Sequence, residues 1–466
     1  MFIGVPLLAI GVLNVYTWQS RKAAMYAAMF ISAAQIALAS YCILSCFNTG
    51  EALNSTFLGT FSVDLFSAIV LLIIGLIGLV TLLVASDTVQ HSRFGFGDAV
   101  LLLMMGMNGV VMVTDVFSLY VFIEITSTSS FLLIAINKRR DELEGAFKYY
   151  LMSALATTMM LTAITTLFAL VGDTSFESVA QYIRANSGQS RLLPAVFILY
   201  TAALAIKSGV VPFHTWVPDA HSSAPSPVSI MLAGIVIKVS GVYALMRIYR
   251  DVFLCDPATG SVLMVLSLAS IIVGALAAMG QTDIKRMLAF SSVSQIGYII
   301  LGVASGSALG FVGAVMHYFN HASFKSLLFV DAAALLKQTG TRNMDEMGGL
   351  GKKMPLTSIS SILGLLSMAG IPPLSGFWSK LLIVAAVWRI SPAIAVGALV
   401  SSVLTLTYFL IIQKKVFYGK PSPEMENVQE CGGNIRVVQL ILSGINVLAG
   451  LVFPFLLPLL GSAGIL

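Results

Sequence analysis

Apolar residues fill this chain in runs of about twenty, close to the roughly 20 residues a helix needs to cross a hydrocarbon core. Polar positions fall mostly in the short gaps between the runs. "SAIVLLIIGLIGLVTLLVA", "SVLMVLSLASIIVGALAAMG" and "VVQLILSGINVLAGLVFPFLLPLL" typify the pattern, which recurs along the whole sequence. Marking runs and gaps predicts about fourteen transmembrane helices. Their connections fall near residues 19, 50, 90, 114, 141, 182, 217, 250, 284, 305, 345, 390 and 425. The opening run, Met1 to Trp18, has neither a basic start nor a small-residue cleavage site and is read as the first helix. Composition agrees: of 466 residues 58% are hydrophobic and 10% charged, with mean hydropathy +0.93. The expected class is an all-α polytopic membrane protein, a single membrane domain over residues 1–466, with no nucleic-acid partner.

The basic residues set an expected orientation. Seventeen of the 26 lysines and arginines fall in odd-numbered connections and five in even-numbered ones. Basic loops stay on the cytoplasmic side, so both termini are expected outside a cell (inner) membrane. The remaining four, Lys207, Lys238, Lys325 and Lys380, fall inside apolar runs.

Charges at that depth are costly, a few kcal/mol each on insertion scales, and commonly mark ion pathways. Lys207 ends "LLPAVFILYTAALAIK". Lys238 lies about 16 Å past Pro227, and Glu124 lies about 21 Å before the basic cluster at Lys138, so both sit near the midplane. In "HYFNHASFKSLLF", His317, His321 and Lys325 occupy positions i, i+4 and i+8 and project from one helical face. A zinc site would need further ligands that this helix does not offer, whereas imidazoles beside a lysine suit a proton relay. The four cysteines, Cys42, Cys46, Cys255 and Cys431, form no CxxC pair. No metal or redox cofactor is expected on this chain.

Two apolar runs are interrupted, at "KSGVVPFH" and at "AGIPPLSGFWSK", and each carries one of the lysines. Unwound backbone at membrane depth is tolerated only where it is covered by protein or lines a wet cavity. The spacing of Lys207 and Lys380 suggests two structural repeats.

These segments, with "YVFIEI", "AIKSGVVPFHTWVPDAHSSAPSPVSIMLAGIVIKVSGVY" and "DIKRMLAFSSVSQIGY", resemble the antiporter-like membrane subunits of respiratory complex I, membrane-bound hydrogenases and multisubunit Na+/H+ (Mrp) antiporters. The resemblance covers about residues 60 to 420. It implies a fourteen-helix core with helices one to three in residues 1–96, a last helix in 435–460, and two inverted five-helix repeats, 97–250 and 259–420. Helices seven and twelve would be broken. It further implies that Glu124, Lys207, Lys238, His317, His321, Lys325 and Lys380 carry the ion path, with Lys380 as exit gate. Where some relatives have histidine and glutamate, Lys238 and Lys380 are both lysine here. A long C-terminal lateral helix is not expected, which argues against the distal complex I subtype.

The implied function is translocation of protons, with sodium as an alternative ion, inside a multisubunit redox complex of the hydrogenase or complex I type. Fe-S or NiFe centres would sit on partner subunits, including a peripheral arm on the cytoplasmic side. The alternative parent is an Mrp-type antiporter. A self-sufficient solute permease and a purely structural anchor explain the buried charges less well. Asp219 and His221 are expected to line the entry to the broken helix or to act as local caps, and "KRRDELEGAFK" to form a solvated cytoplasmic loop entering the sixth helix.

Overall fold

The computed structural model describes residues 1–16, 21–55, 61–88, 95–186, 190–420 and 425–462. The connections expected near residues 19 and 90, with Arg93, lie outside the described residues. The chain gathers into two compact units. The first comprises Met1–Leu82, His91–Gly209 and Ile235–Val262; the second comprises Leu83–Gln90, Val210–Gly234 and Leu263–Leu466.

Helices dominate, in the order α1 Gly4–Tyr16, α2 Arg21–Thr49, α3 Leu65–Thr88, α4 Phe96–Met112, α5 Val116–Ile134, α6 Arg140–Val171, α7 Phe176–Asn186, α8 Leu193–Ser208 and α9 Trp216–Ser223. There follow α10 Ser226–Val252, α11 Pro257–Met279, α12 Ile284–Ala304, α13 Ala308–Thr339, α14 Pro355–Ala369 and α15 Ser375–Trp388. The series ends with α16 Pro392–Phe417 and α17 Asn434–Ser462. A short antiparallel pair, β1 Leu53–Ser55 and β2 Phe61–Val63, joins α2 to α3. Among the described residues, nine helices are each long and apolar enough to cross a membrane.

Both expected interruptions are present, and glycine makes each. Gly209 (φ +65°) ends α8 and Gly370 (φ +83°) ends α14, in the left-handed region that L side chains rarely adopt. Each glycine N–H bonds back to carbonyls of the last turn. Pro212, and Pro372 with Pro373, follow within three residues, where prolines prevent the helix from resuming at once.

Burial separates two kinds of helix. On α2, α6, α11, α16 and α17, large apolar side chains such as Phe30, Leu155, Phe168, Val265, Val403 and Leu448 are exposed, a surface that suits lipid tails. Helices α10 and α12 are covered almost end to end. The chemistry-bearing residues sit on the covered helices or on the covered faces of the others.

Three local expectations need correction. "KRRDELEGAFK" is mostly helix, because α6 starts at Arg140. There Glu142 accepts from Asn137 N at 3.1 Å and from Asn137 Nδ2 at 3.0 Å, while Lys148 pairs with Glu144 at 2.8 Å on the surface. The connection near residue 182 contains the amphipathic helix α7, which buries Val179, Ala180 and Ile183. Lys285, placed in a loop by the charge pattern, is buried at the start of α12 and donates to Ala224 O at 2.8 Å and Ser229 Oγ at 3.2 Å. A lysine one residue past a helix start can turn inward wherever carbonyls are free to receive it.

Candidate functional site

In the first unit, the Lys207 ammonium is fully enclosed. It donates to Glu124 Oε1 at 2.9 Å, Ser127 Oγ at 2.9 Å and Ser153 Oγ at 2.6 Å. An ammonium has three N–H donors, and all three find oxygen. Glu124 and Ser127 lie one turn apart on α5, and Ser153 and Thr157 one turn apart on α6. Two helices thus offer one oxygen pair each. Thr157 Oγ1 donates to the same Glu124 oxygen at 2.6 Å. Glu124 is 30% exposed at its side chain, so one end of the pair reaches the surface of the unit while the other is sealed. Lys207 also stands in the last turn of α8, where the negative end of the helix dipole favours a cation.

Glu124 and Lys207, both expected on the ion path, are therefore in direct contact. Sequence reasoning missed the hydroxyls that complete the pair. Serines and threonines are frequent in this chain, and only their position against Lys207 distinguishes Ser127, Ser153 and Thr157 from the rest.

Lys238 is buried at the start of a π-helical turn of α10, Lys238–Tyr243. The wider turn shifts the register of the helix face, a feature common near functional positions. One turn on, Gly241 lets α10 touch the end of α8. A Cβ there would collide with the backbone of Ser208 and stand 2.6 Å from the Lys207 carbonyl carbon. Gly241→Ala gains up to about 1 kcal/mol of helix propensity, but a clash with backbone, which cannot swing aside, costs about 1–3 kcal/mol. A lowered thermal-unfolding midpoint of the solubilised protein is expected; an unchanged midpoint overturns this account of the α8–α10 approach.

In the second unit, His317, His321 and Lys325 follow one another along a buried face of α13. The two imidazole planes are parallel, with centroids 6.4 Å apart. His317 Nε2 faces Gln295 Oε1 at 3.2 Å and its Nδ1 faces Ser379 Oγ at 2.9 Å. With the amide so assigned, Gln295 Oε1 only accepts, so Nε2 carries a hydrogen. Ser379 Oγ also lies 3.1 Å from Gly376 O. Its hydroxyl can donate to Nδ1 of a neutral ring, or turn to Gly376 O and accept from Nδ1 of a charged one. Both protonation states of His317 are thereby accommodated. Lys325 Nζ donates to Leu288 O at 3.0 Å and to Ser291 Oγ. Gln295, Ser379 and Asn320, which donates to Ser379 Oγ at 3.1 Å, escaped the sequence reading.

Lys380 resolves the second interruption. From α15 its ammonium reaches back across the break and donates to Met368 O at 2.8 Å, one of the carbonyls left free where α14 ends. It also sits 4.4 Å from the centre of the Tyr298 ring, a cation–π distance. Tyr298 is held from behind by its hydroxyl, which lies 2.6 Å from Ala398 O. The first break leaves its lysine against a carboxylate and two hydroxyls; the second gives its lysine a helix terminus and an aromatic face.

Asp219 makes an ion pair with Arg286 at 2.7 Å, and His221 packs against Phe329 with ring centroids 5.2 Å apart. Neither caps α9. Among the described residues, no group of histidine, cysteine and carboxylate side chains could hold a metal ion.

A polytopic helical protein that carries lysines at two helix interruptions, one paired with a glutamate, and a buried histidine–lysine face on a helix of its own is an antiporter-like membrane subunit. Known relatives point to the same family. The pattern described as "NADH:quinone oxidoreductase/Mrp antiporter, TM" matches residues 113–405, and the chain belongs to that family. It is 35% identical to NADH-quinone oxidoreductase subunit N of Desulforudis audaxviator, over 76% of this chain and 72% of that one. It is 30% identical to a subunit of the Na(+)/H(+) antiporter of Alkalihalophilus pseudofirmus, over 81% of this chain and 76% of that one. A chain in the structure of the Mrp complex from Dietzia superposes with TM-score 0.90 at 26% identity, covering 99% of this chain and 95% of that one.

Proposed function

We propose that this chain is the antiporter-like, ion-translocating subunit of a multisubunit membrane complex, and that the ion it carries is the proton. The observation that carries this reading is the Lys207 ammonium, enclosed and bound by three oxygens of which one belongs to Glu124. A buried ammonium is stable beside an ionised carboxylate, and desolvation disfavours it once that charge is neutralised or withdrawn. Changing the charge at Glu124 therefore binds or expels a proton at Lys207.

Taken in chain order, the relay runs from Glu124 and Lys207 through Lys238 to His317, His321 and Lys325, and leaves at Lys380. The two five-helix repeats, residues 97–250 and 259–420, would each contribute one interrupted helix. The location is a cell (inner) membrane, with both termini outside and the lysine-rich loops facing the cytoplasm.

The parent complex is read as a redox machine of the hydrogenase or complex I type, with Fe-S or NiFe centres on partner subunits and a peripheral arm on the cytoplasmic side. The 35% identity to a membrane subunit of an NADH-quinone oxidoreductase supports this. A second reading, an Mrp-type Na+/H+ antiporter, draws on the 0.90 TM-score with a chain of the Mrp complex. Purification from native membranes with partners attached decides between them. Iron-sulfur or nickel-iron proteins are expected to co-purify; a set made only of small hydrophobic subunits, with sodium-dependent proton movement in vesicles, overturns the redox reading.

A further inference from the structure

The relay described above leaves one buried acid unused. Asp331 lies on α13, six residues past Lys325 and about 9 Å further along the helix, and is almost completely covered. Its Oδ1 accepts from Ser360 Oγ at 2.6 Å and from Gln439 Nε2 at 2.8 Å. Among the described residues, its Oδ2 is shielded from solvent and has no hydrogen-bond partner. The same holds for Gln439 Oε1, Ser443 Oγ and Asn446 Oδ1. These three stand at i, i+4 and i+7 of α17 and so share one face. That face meets α13 at two points, through the Gln439–Asp331 bond and through Asn446 Nδ2, which donates to Ser323 Oγ at 3.0 Å.

We propose that Asp331 is a proton-carrying site, fed from Glu430 along the α13–α17 face, and that it forms a second entry to the histidine–lysine line. The proposal rests on the reading of the chain as a proton-translocating subunit.

The outer end of this branch is built. Half-buried Glu430 sits at the N-terminus of α14, where its Oε2 accepts from Leu356 N at 2.7 Å and its Oε1 from Thr357 Oγ1 at 2.6 Å. Gln439 Nε2 donates both to Asp331 and, at 3.1 Å, to Thr357 Oγ1. One hydroxyl and one amide therefore connect the outer carboxylate with the inner one. A buried carboxylate with one bare oxygen is costly while ionised, and a proton on Oδ2 removes that cost. Three further acceptors that lack protein donors line the same face, a chemistry matched by water molecules or a mobile proton. In the transfer step the proton leaves Asp331 Oδ2 for an unprotonated Lys325 amine, through water. The carboxylate is regenerated, to be reprotonated from the Glu430 side.

The competing role is structural, as a polar tie that pins α17 to α13. A tie needs an acceptor at position 331 but not an acid, and Asp331→Asn keeps an oxygen for Ser360 and Gln439 while it removes the titratable group. The assay is proton movement into vesicles carrying the whole complex, energised by its own electron donor or by an imposed sodium gradient. Asp331→Asn is expected to assemble normally and to pump roughly tenfold slower, within the range that loss of a positioned proton carrier produces. Glu430→Gln is expected to slow pumping in the same direction, and Asp331→Glu to retain most of the rate. Wild-type pumping in Asp331→Asn overturns the proposal. Lys207→Ala serves as the control: lost pumping there with normal pumping in Asp331→Asn sinks the branch alone, whereas normal pumping in both sinks the underlying reading. If Asp331→Asn does not assemble, infrared difference spectra of energised against resting complex decide. A protonated-carboxyl band that shifts between wild type and Asp331→Glu supports the branch, and its absence overturns it.

Discussion

Lys207→Ala is expected to reduce proton pumping to below roughly one hundredth of wild type, the scale of losing an essential proton donor and acceptor, while the complex still assembles. Both parts follow from the geometry. Alanine removes the cation bonded to Glu124 Oε1, so the carboxylate can no longer decide whether a proton is held nearby. Breaking a buried ion pair costs about 3–5 kcal/mol when it strands a charge. Here the stranded group is Glu124, which is 30% exposed and keeps its bond from Thr157, so water and a hydroxyl absorb much of that cost. Glu124→Gln is the complementary case. The amide oxygen can still accept from Lys207, but the charge is gone, and pumping is expected to fail with the packing intact. Pumping near wild-type rate in either variant, measured in vesicles that contain the assembled complex, refutes the pair as the coupling element.

The second large effect is expected at Lys380, and there the structure alters what the sequence suggests. The family resemblance implies glutamate at this position in some members, so Lys380→Glu looks mild from sequence, since one titratable group replaces another. The surroundings are those of a cation: a carbonyl at the open end of α14 and the face of Tyr298. Both present negative charge density, so an ionised glutamate is repelled where an ammonium is held. Lys380→Glu is therefore expected to lose pumping as fully as Lys380→Ala, to below about one tenth of wild type. Lys380→Arg is expected to bind at the site but not to release its proton, because guanidinium stays charged. A glutamate variant that pumps well while the alanine variant does not would show that the carbonyl and the ring do not define this position.

Legibility in the sequence followed cost. Charges within apolar runs are expensive, so Glu124, Lys207, Lys238, Lys325 and Lys380 stood out one by one, and the His317–His321–Lys325 spacing gave a shared face by helical periodicity alone. Glycine followed by proline marked both interruptions, since few other residues can end a helix there. Asp331 was equally costly and was passed over, because it follows an apolar run near the end of its helix, where an acid reads as a boundary. Lys285 was missed because it stands at the start of its helix, beside the polar connection before it, where a base reads as part of the loop. Ser127, Ser153, Thr157, Ser379 and Gln295 carry no such cost: small polar residues are ordinary in membrane helices, and nothing in their own neighbourhood marks them.

By itself, then, the sequence determined the membrane class, the two interruptions and most of the buried ionisable groups, because each of these is set by the free energy of a short segment in its surroundings. Only the tertiary structure decided what each group touches: Lys207 against a carboxylate and two hydroxyls, Lys380 against a helix end and a ring, Asp331 against the last helix. Those partners lie from 12 to 108 residues apart in the chain, and hydrogen bonding is sensitive to a few tenths of an ångström. That precision comes from how helices pack, which no local pattern encodes.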